Sequence, residues 1–147
     1  MKPLFIGIDP DVDKSGFAVY DAESKSLTAV CSAQFFWIFP YFKTWQCHIA
    51  LVRIEAGWLN EKSNFHHRRG QSKTAGERIA KNVGANHETG RKLAEMCEYL
   101  EIEYDLVRPL GTKNIDHRAF IRMTGWTGRT NQDMRDAAML VYGFKTK

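Results

Sequence analysis

The sequence predicts an α/β domain built on a mixed sheet, and three observations lead to this fold class. Strand-like apolar segments alternate with amphipathic helical segments. The first three strands follow one another through short turns, as in an antiparallel meander. The length of 147 residues fits one domain with one sizeable core. The expected order of elements is β-β-β-α-β-α-β-α-α, in a single domain that spans residues 1–147.

Five strands are predicted from apolar runs that end at turn-forming residues. Pro10 and Ser15-Gly16 bound the first turn, and Pro109 stops the last strand. The runs also contain the β-branched and aromatic residues that are typical of strands. The predicted strands cover residues 4–9, 17–21, 27–35, 49–55 and 104–110.

Helices are predicted between and after the later strands. The aromatic segment 36–47 is expected to form a short helix that starts near Pro40. Residues 79–100 place apolar side chains mainly three and four positions apart, which predicts one buried helix face. Gly84 and Gly90 in that stretch either let another backbone approach or break the helix. The last helix is expected to begin near Asn131, a good N-cap residue, and to run to about residue 144.

The positive charge is concentrated in one segment. The chain carries +4 overall, and residues 61–92 hold eight basic and three acidic residues, so this segment alone carries +5. Such a segment is either a solvated face or a surface for phosphate groups. The three cysteines show no paired spacing, which argues against a disulfide framework or a structural zinc site. With no apolar run long enough to cross a membrane, we expect a soluble cytoplasmic protein.

Four acidic residues occupy positions typical of an active site. Asp9 and Glu55 each end an apolar strand, at the sheet edge where active sites of α/β proteins gather. Asp133 and Asp136 lie three residues apart, on one face of the last helix. Converging carboxylates repel one another unless a divalent cation binds them, and oxygen ligands suit Mg²⁺ or Mn²⁺. The pattern indicates a metal-dependent nuclease, while strand-end turns and the helix dipole are alternative reasons for these acids.

The turn after the first strand also alternates acids in the manner of a calcium-binding loop. An EF-hand loop beginning at Asp9 needs glycine and glutamate where this chain has Lys14 and Tyr20. The calcium interpretation therefore fails. Asp11 and Asp13 are expected to be solvent-facing turn residues.

Taken together in chain order, these motifs resemble the RuvC-like Holliday-junction resolvases of the ribonuclease-H-like superfamily. Each motif is weak alone, and their order and spacing together are fairly specific. Asp11, where the family usually has glycine, and a short stretch between residues 113 and 133 depart from the family pattern. The matching motifs are Ile6-Gly7-Ile8-Asp9-Pro10 with Gly16, Ile54-Glu55, the helix 84–100, Val107-Arg108-Pro109 with Lys113, and Asp133-Met-Arg-Asp136-Ala-Ala.

The resemblance implies a ribonuclease-H-like, five-stranded sheet, with strands 1–3 antiparallel and the later strands parallel, flanked by helices. It implies two Mg²⁺ ions per active site, for which Mn²⁺ would substitute, and a lysine on the scissile phosphate. Trp58 is expected either to stack on junction bases or to be a packed core or interface aromatic. The implied metal ligands are Asp9, Glu55, Asp133 and Asp136, the lysine is Lys113, and the expected DNA contacts are Trp58, Phe65, Arg68, Arg69, Lys73, Lys81 and Arg129.

The expected function is that of an endodeoxyribonuclease that resolves branched DNA (Holliday) junctions by paired phosphodiester hydrolysis through a two-metal mechanism. A homodimer would match the two-fold symmetry of a four-way junction. The helix 84–100 would supply the dimer contact, with Gly90 permitting close approach. The alternatives are a nuclease of the same fold acting on RNA and a non-catalytic nucleic-acid-binding module. The short chain favours a phage or mobile-element version that acts in the host cytoplasm.

Overall fold

The computed structural model describes residues 1–60, 72–109 and 114–146. A 3₁₀ turn (Gly57–Leu59) follows the fourth strand. The predicted order of strands and helices is confirmed. The elements are β1 (Leu4–Asp9), β2 (Ser15–Asp21), β3 (Ser26–Ala33), α1 (Phe35–Trp45), β4 (Ile49–Glu55), α2 (Lys73–Tyr99), β5 (Tyr104–Val107), α3 (His117–Thr124) and α4 (Gln132–Met139).

The five strands form one mixed sheet in the order β3-β2-β1-β4-β5. The pairs β1–β2 and β2–β3 are antiparallel, whereas β1–β4 and β4–β5 are parallel. This arrangement confirms the predicted α/β, ribonuclease-H-like fold class. Because β1, β4 and β5 run in the same direction, their carboxyl ends meet at one edge of the sheet.

The alternation of side chains along the strands builds two apolar layers, one on each face of the sheet. Ile6 and Ile8 of β1 face a cluster that includes Phe42 of α1 and Leu93 of α2. Phe5 faces the opposite cluster, to which α3 and α4 contribute. The sheet is therefore covered by helices on both faces, which suits its parallel strands.

Helix α4 lies directly on β1 and β2 because two glycines leave room for its backbone. A Cβ atom on Gly7 would lie 2.0 Å from the carbonyl oxygen of Ala137. A Cβ atom on Gly16 would lie 2.0 Å from the carbonyl oxygen of Asp133. No larger residue fits either position without displacing the helix, so these glycines determine how closely α4 approaches the sheet.

Several predicted boundaries were wrong. β3 ends at Ala33 and α1 begins at Phe35, so Pro40 lies inside the helix instead of starting it. Extended backbone at Gln34 separates the two elements. α4 ends at Met139, well before residue 144, because the chain leaves the helix through turns. β5 stops at Val107, two residues before Pro109, which has no backbone N–H to donate to a ladder.

Helix α2 is continuous through both of its internal glycines. Neither Gly84 nor Gly90 breaks it, so the alternative that these glycines interrupt the helix was wrong. None of the helices in the described ranges is long and apolar enough to cross a membrane. Cys31, Cys47 and Cys97 are all free thiols. Burial raises the pKa of the Cys97 thiol to about 12, as expected for a core cysteine.

Candidate active site

Asp9 and Glu55 lie side by side at the carboxyl ends of β1 and β4. Ile8 pairs with Ile54 in the parallel ladder, so the next residue on each strand carries the acid. Both acids line one cavity of about 290 Å³ at this edge of the sheet. Both are partly buried. The structure thus brings together the two strand acids that the sequence singled out.

The two acids also share one face of the sheet. Gly7, two residues before Asp9, lies under α4, and the Arg53 guanidinium, two residues before Glu55, donates to the Leu140 carbonyl oxygen at 2.7 Å. Side chains two residues apart on a strand point to the same face. Asp9 and Glu55 are therefore on the α4 side of the sheet.

Helix α2 and the loops at the ends of β1, β4 and β5 complete the cavity. Asn86 also joins two of these elements, because its Oδ1 accepts from the Val12 backbone N–H at 2.9 Å. Asn60, Asn86 and His87 were not singled out in the sequence. The available signal was that Val83, Asn86, His87 and Gly90 lie three and four residues apart on one helix face. The other lining residues in the described part of the chain are Pro10, Gly57, Trp58, Asn60, Val83, Asn86, His87 and Pro109.

Trp58 is packed against α2 while it lines the cavity. A Cβ atom on Gly90 would lie 2.5 Å from Trp58 Cζ3, so the indole occupies the space that this glycine leaves. The Arg91 guanidinium lies 5.2 Å from the indole centre, within cation–π range, and the His87 ring lies 6.0 Å away, edge to face. The expectation that Gly90 admits a second backbone was wrong, because Trp58 of the same chain fills that space.

His87 contributes an imidazole to the wall of the cavity. Burial first, and the positive charge of Arg91 second, lower the pKa of His87 below its usual value. The ring is therefore neutral at neutral pH. A neutral imidazole adds no further positive charge next to Arg91.

The turn between β1 and β2 is shaped by its first acid. Asp11 Oδ1 accepts from the backbone N–H groups of Asp13 at 2.8 Å and Lys14 at 3.3 Å, which is an Asx turn. Asp13 is exposed. The predicted turn position of both residues is confirmed, but only Asp13 faces solvent as predicted, since Asp11 is half-buried. Neither residue lines the cavity.

The helix acids are close to the strand acids along the sheet but do not line the same cavity. The Asp133 backbone covers Gly16, which pairs with Asp9 across the β1–β2 ladder. Asp136 Oδ1 accepts from Gln132 Nε2 at 2.8 Å. Across residues 1–60, 72–109 and 114–146, no three Asp, Glu, His or Cys side chains form a group that could hold a metal ion. The described structure therefore brings together Asp9 and Glu55, and not all four acids.

Arg135 fixes the start of α4 from between the two helix acids. Its guanidinium donates four hydrogen bonds, to the Ile115 carbonyl oxygen, to Thr130 twice and to Gln132 Oε1. The side chain of Asn131 caps the helix by accepting from the Met134 N–H at 2.9 Å, as the sequence predicted. The position of Asp133 thus depends on a charged side chain that sequence reasoning passed over.

The expected DNA contacts are scattered, as far as they are described. Lys73 and Lys81 are exposed on the first half of α2, and Lys73 lies 4.0 Å from Glu77 in a solvent-exposed ion pair. Arg129 is exposed in the loop before α4. None of the three lines the cavity. Phe65, Arg68, Arg69 and Lys113 lie outside the described residues, so their roles stay predictions.

Comparison with known proteins shows which solved structures share this fold. No protein-family model matches the sequence, and no curated protein matches it significantly. RuvC of Thermus thermophilus, solved in complex with a Holliday junction substrate, matches with a TM-score of 0.54 at 12% identity, over 91% of this chain and 87% of that one. A second T. thermophilus RuvC structure matches with a TM-score of 0.51 at 13% identity, over 91% and 88%. The chain therefore has the RuvC-like fold, within the ribonuclease-H-like class.

Proposed function

We propose that this chain is a divalent-metal-dependent endonuclease that resolves branched DNA as a homodimer of single-domain subunits. The observation that carries the proposal is the pair Asp9 and Glu55, at neighbouring strand ends in one cavity. A metal-dependent hydrolase needs such acids at a sheet edge that substrate can reach. The likeness to a RuvC that was solved with a Holliday junction favours branched DNA among nuclease substrates.

The carboxylate ligands in the cavity suit a hard divalent cation, although only two of them line it. Two carboxylates line the cavity, and carboxylate oxygens are the ligands that Mg²⁺ and Mn²⁺ prefer. When bound, such a cation supplies a water of lowered pKa and neutralises charge at a phosphodiester. Asp9 and Glu55 would hold it. Asp133 and Asp136 would complete two sites if their side chains turned toward Asp9, whose ladder partner Gly16 lies beneath Asp133.

The residues around the acids would orient DNA. The Trp58 ring is held by Gly90 and Arg91, so its exposed part could support a base at the cavity mouth without losing freedom on binding. Lys73 and Lys81 on α2, with Arg129, would contact phosphates together with the basic residues of 61–71 and Lys113. These contacts would give affinity that falls with salt concentration.

A homodimer would present two such cavities to the two opposed strands of a four-way junction. The first half of α2 supports this part of the proposal, since Ile79 is 42% exposed there and no neighbouring atom of the described chain lies within 4 Å of a Cβ atom built on Gly84. An exposed apolar side chain on a helix beside an open glycine is suited to helix–helix contact.

The test is cleavage of a synthetic mobile four-way junction with and without Mg²⁺. We expect paired nicks on opposed strands, abolished by EDTA. Asp9→Asn and Glu55→Gln are each expected to reduce the rate about 100-fold or more, while Asp13→Asn, an exposed acid on the neighbouring turn, serves as the matched control. Wild-type rates in both acid variants would overturn the proposal.

Two further substrates distinguish the alternatives. A linear duplex and a structured RNA are incubated under the same conditions. Preferential cleavage of the RNA would favour a ribonuclease of this fold, and tight binding without metal-dependent cleavage of any substrate would favour a binding module. Sedimentation of the protein with and without the junction measures whether it is a dimer.

A further inference from the structure

A second cavity, of about 370 Å³, opens at the same end of the sheet as Asp9. It lies where β3 ends and α1 begins, and we call it the Trp37 cavity. It shares no described lining residue with the cavity that holds Asp9 and Glu55. Its described lining residues are Lys14, Cys31, Ser32, Ala33, Gln34 and Trp37.

The register of the sheet sets the distance between the two cavities. Asp9 pairs with Gly16, and Gly16 pairs with Ser32 in the wall of the Trp37 cavity. Two strand spacings separate Asp9 from Ser32, which is about 10 Å. A few nucleotides of one DNA strand are enough to span this distance. A strand whose phosphate reaches Asp9 and that continues across the ends of β2 and β3 would therefore pass the Trp37 cavity.

Trp37 forms an aromatic platform in this cavity. The indole is 46% exposed, although it belongs to a helix that packs on the sheet. Phe17 supports it edge to face at 5.3 Å, and Tyr41 lies against it at 5.0 Å with an interplanar angle of 30°. A ring held by two aromatic neighbours loses little conformational freedom when a base stacks on it.

The polar groups of the cavity suit a nucleotide. Lys14 is the one charged residue among those lining it in the described chain, and it is exposed and cationic. Gln34 is the N-cap of α1, but its side chain makes no capping hydrogen bond. Ser32 Oγ accepts from Asn131 Nδ2 at 3.4 Å, which joins the cavity wall to the start of α4. An anionic ligand with a planar base matches a cation, an amide and an aromatic ring.

We propose that the Trp37 cavity binds one unpaired nucleotide of the substrate strand, with the base stacked on Trp37 and its phosphate contacted by Lys14. The volume of about 370 Å³ suits one nucleotide. This subsite rests on the proposed nuclease function for its location, since it lies two strands from Asp9 at the same end of the sheet. It would favour substrates with an unpaired base within a few nucleotides of the cleaved phosphate.

The test measures binding of fluorescein-labelled oligo(dT)₂₀ in EDTA, so that cleavage does not enter. Trp37→Leu is expected to weaken binding about tenfold, the usual size of one lost base stack. Lys14→Gln is expected to weaken it about threefold and to reduce the salt slope by about 1. The matched controls are Trp45→Leu, a 42% exposed tryptophan near the far end of α1, and Lys43→Gln. Both controls should bind within about twofold of wild type.

A second readout covers the case in which Trp37→Leu does not fold. In Trp37→Phe the supporting contacts with Phe17 and Tyr41 are largely kept, and oligo(dT)₂₀ should quench tryptophan fluorescence less than in wild type or Trp45→Phe. Wild-type affinity in Lys14→Gln together with unchanged quenching in Trp37→Phe would overturn the subsite. Weakened oligonucleotide binding in a protein that cleaves no substrate would support the subsite while the nuclease proposal fails.

Discussion

The two pairs of acids are positioned by different means. Asp9 and Glu55 extend paired strands, so one parallel register places both in the same cavity. Asp133 and Asp136 belong to a helix, and their position depends on how closely that helix approaches the sheet. Backbone hydrogen bonds fix a strand pair residue by residue, whereas a helix can shift or turn on a sheet without losing its own hydrogen bonds.

The positions of the strand acids are therefore fixed by the sheet, whereas the positions of the helix acids depend on how the helix packs. The strand acids line one cavity, whereas among the described residues no three Asp, Glu, His or Cys side chains form a group that could hold a metal ion. Gly7 and Gly16 let the backbone of α4 rest on the sheet, and Arg135 anchors the start of the helix through its hydrogen bonds. If the helix acids are ligands, the close packing of α4 on Gly7 and Gly16 sets how near they lie to the strand acids.

The largest effect is expected from the acids themselves. If Asp133 and Asp136 complete the metal sites, Asp133→Asn and Asp136→Asn will each slow junction cleavage about 100-fold, as Glu55→Gln does. Rates of metal-dependent nicking measure this, with Asp13→Asn as the control. Cleavage at the wild-type rate in both helix variants would restrict the site to the strand pair.

Gly7→Ala should lower the free energy of unfolding by about 3 kcal/mol, because the new methyl group would collide with the Ala137 carbonyl oxygen. Urea unfolding followed by circular dichroism measures the change. The control is Gly84→Ala in α2, where the space is open and the substitution should stabilise the helix by about 0.5–1 kcal/mol. Equal stability of the two variants would contradict the close contact of α4 with β1.

Arg135→Met should lower the free energy of unfolding by about 2 kcal/mol, because it removes the hydrogen bonds that hold the start of α4 and leaves their acceptors unsatisfied. Arg135→Lys should not restore stability, since a single ammonium cannot reproduce the fork of the guanidinium. Thermal unfolding measures both variants. Arg118→Met, at an exposed position on α3, is the control and should change little.

Gly90→Ala should cost about 1 kcal/mol of stability, because the indole of Trp58 must move away from α2. The movement should also change the tryptophan emission maximum, which reports directly on the ring. An unchanged spectrum in a protein of wild-type stability would show that Trp58 does not rest on Gly90. In that case the first interpretation of Gly90, as a contact for a second chain, would regain support.

The smallest effect concerns pH. Because the pKa of His87 is lower in the folded protein than in the unfolded chain, the unfolded chain binds more protons as the pH falls below about 6.5. Stability should therefore decrease from pH 7 toward pH 5. His87→Gln should make that decrease slightly smaller, since the ring is partly exposed and the effect of its lowered pKa is weakened by solvent. Identical pH profiles of the thermal midpoint would contradict the lowered pKa.

Much of this architecture was readable from local patterns. The apolar run that ends before Pro10 located the end of β1, and the acid after Ile54 marked the end of β4. Asn131 predicted the start of α4 because capping is a contact within one turn of the chain. Boundaries that depend on competing contacts were missed, as at Pro40, which lies within α1 because flanking aromatic residues pack that helix on the sheet.

The roles of the glycines and of the cavity walls were beyond sequence reasoning. Gly7, Gly16 and Gly90 each accommodate an atom from a residue more than 30 positions away in the chain. Nothing in the local pattern around them identifies that neighbour. The Trp37 cavity likewise joins the β1–β2 turn, the end of β3 and the start of α1.

Local hydrogen bonding and hydrophobic periodicity were sufficient for the order of elements, the fold class and the placement of Asp9 and Glu55 at strand ends. These properties follow from residues within a few positions of one another. Tertiary packing alone decided that Trp58 fills the space over Gly90, that α4 lies on Gly7 and Gly16, and that Trp37 faces a second cavity. Close packing depends on distances between segments far apart in the chain, and one sequence does not specify those distances locally.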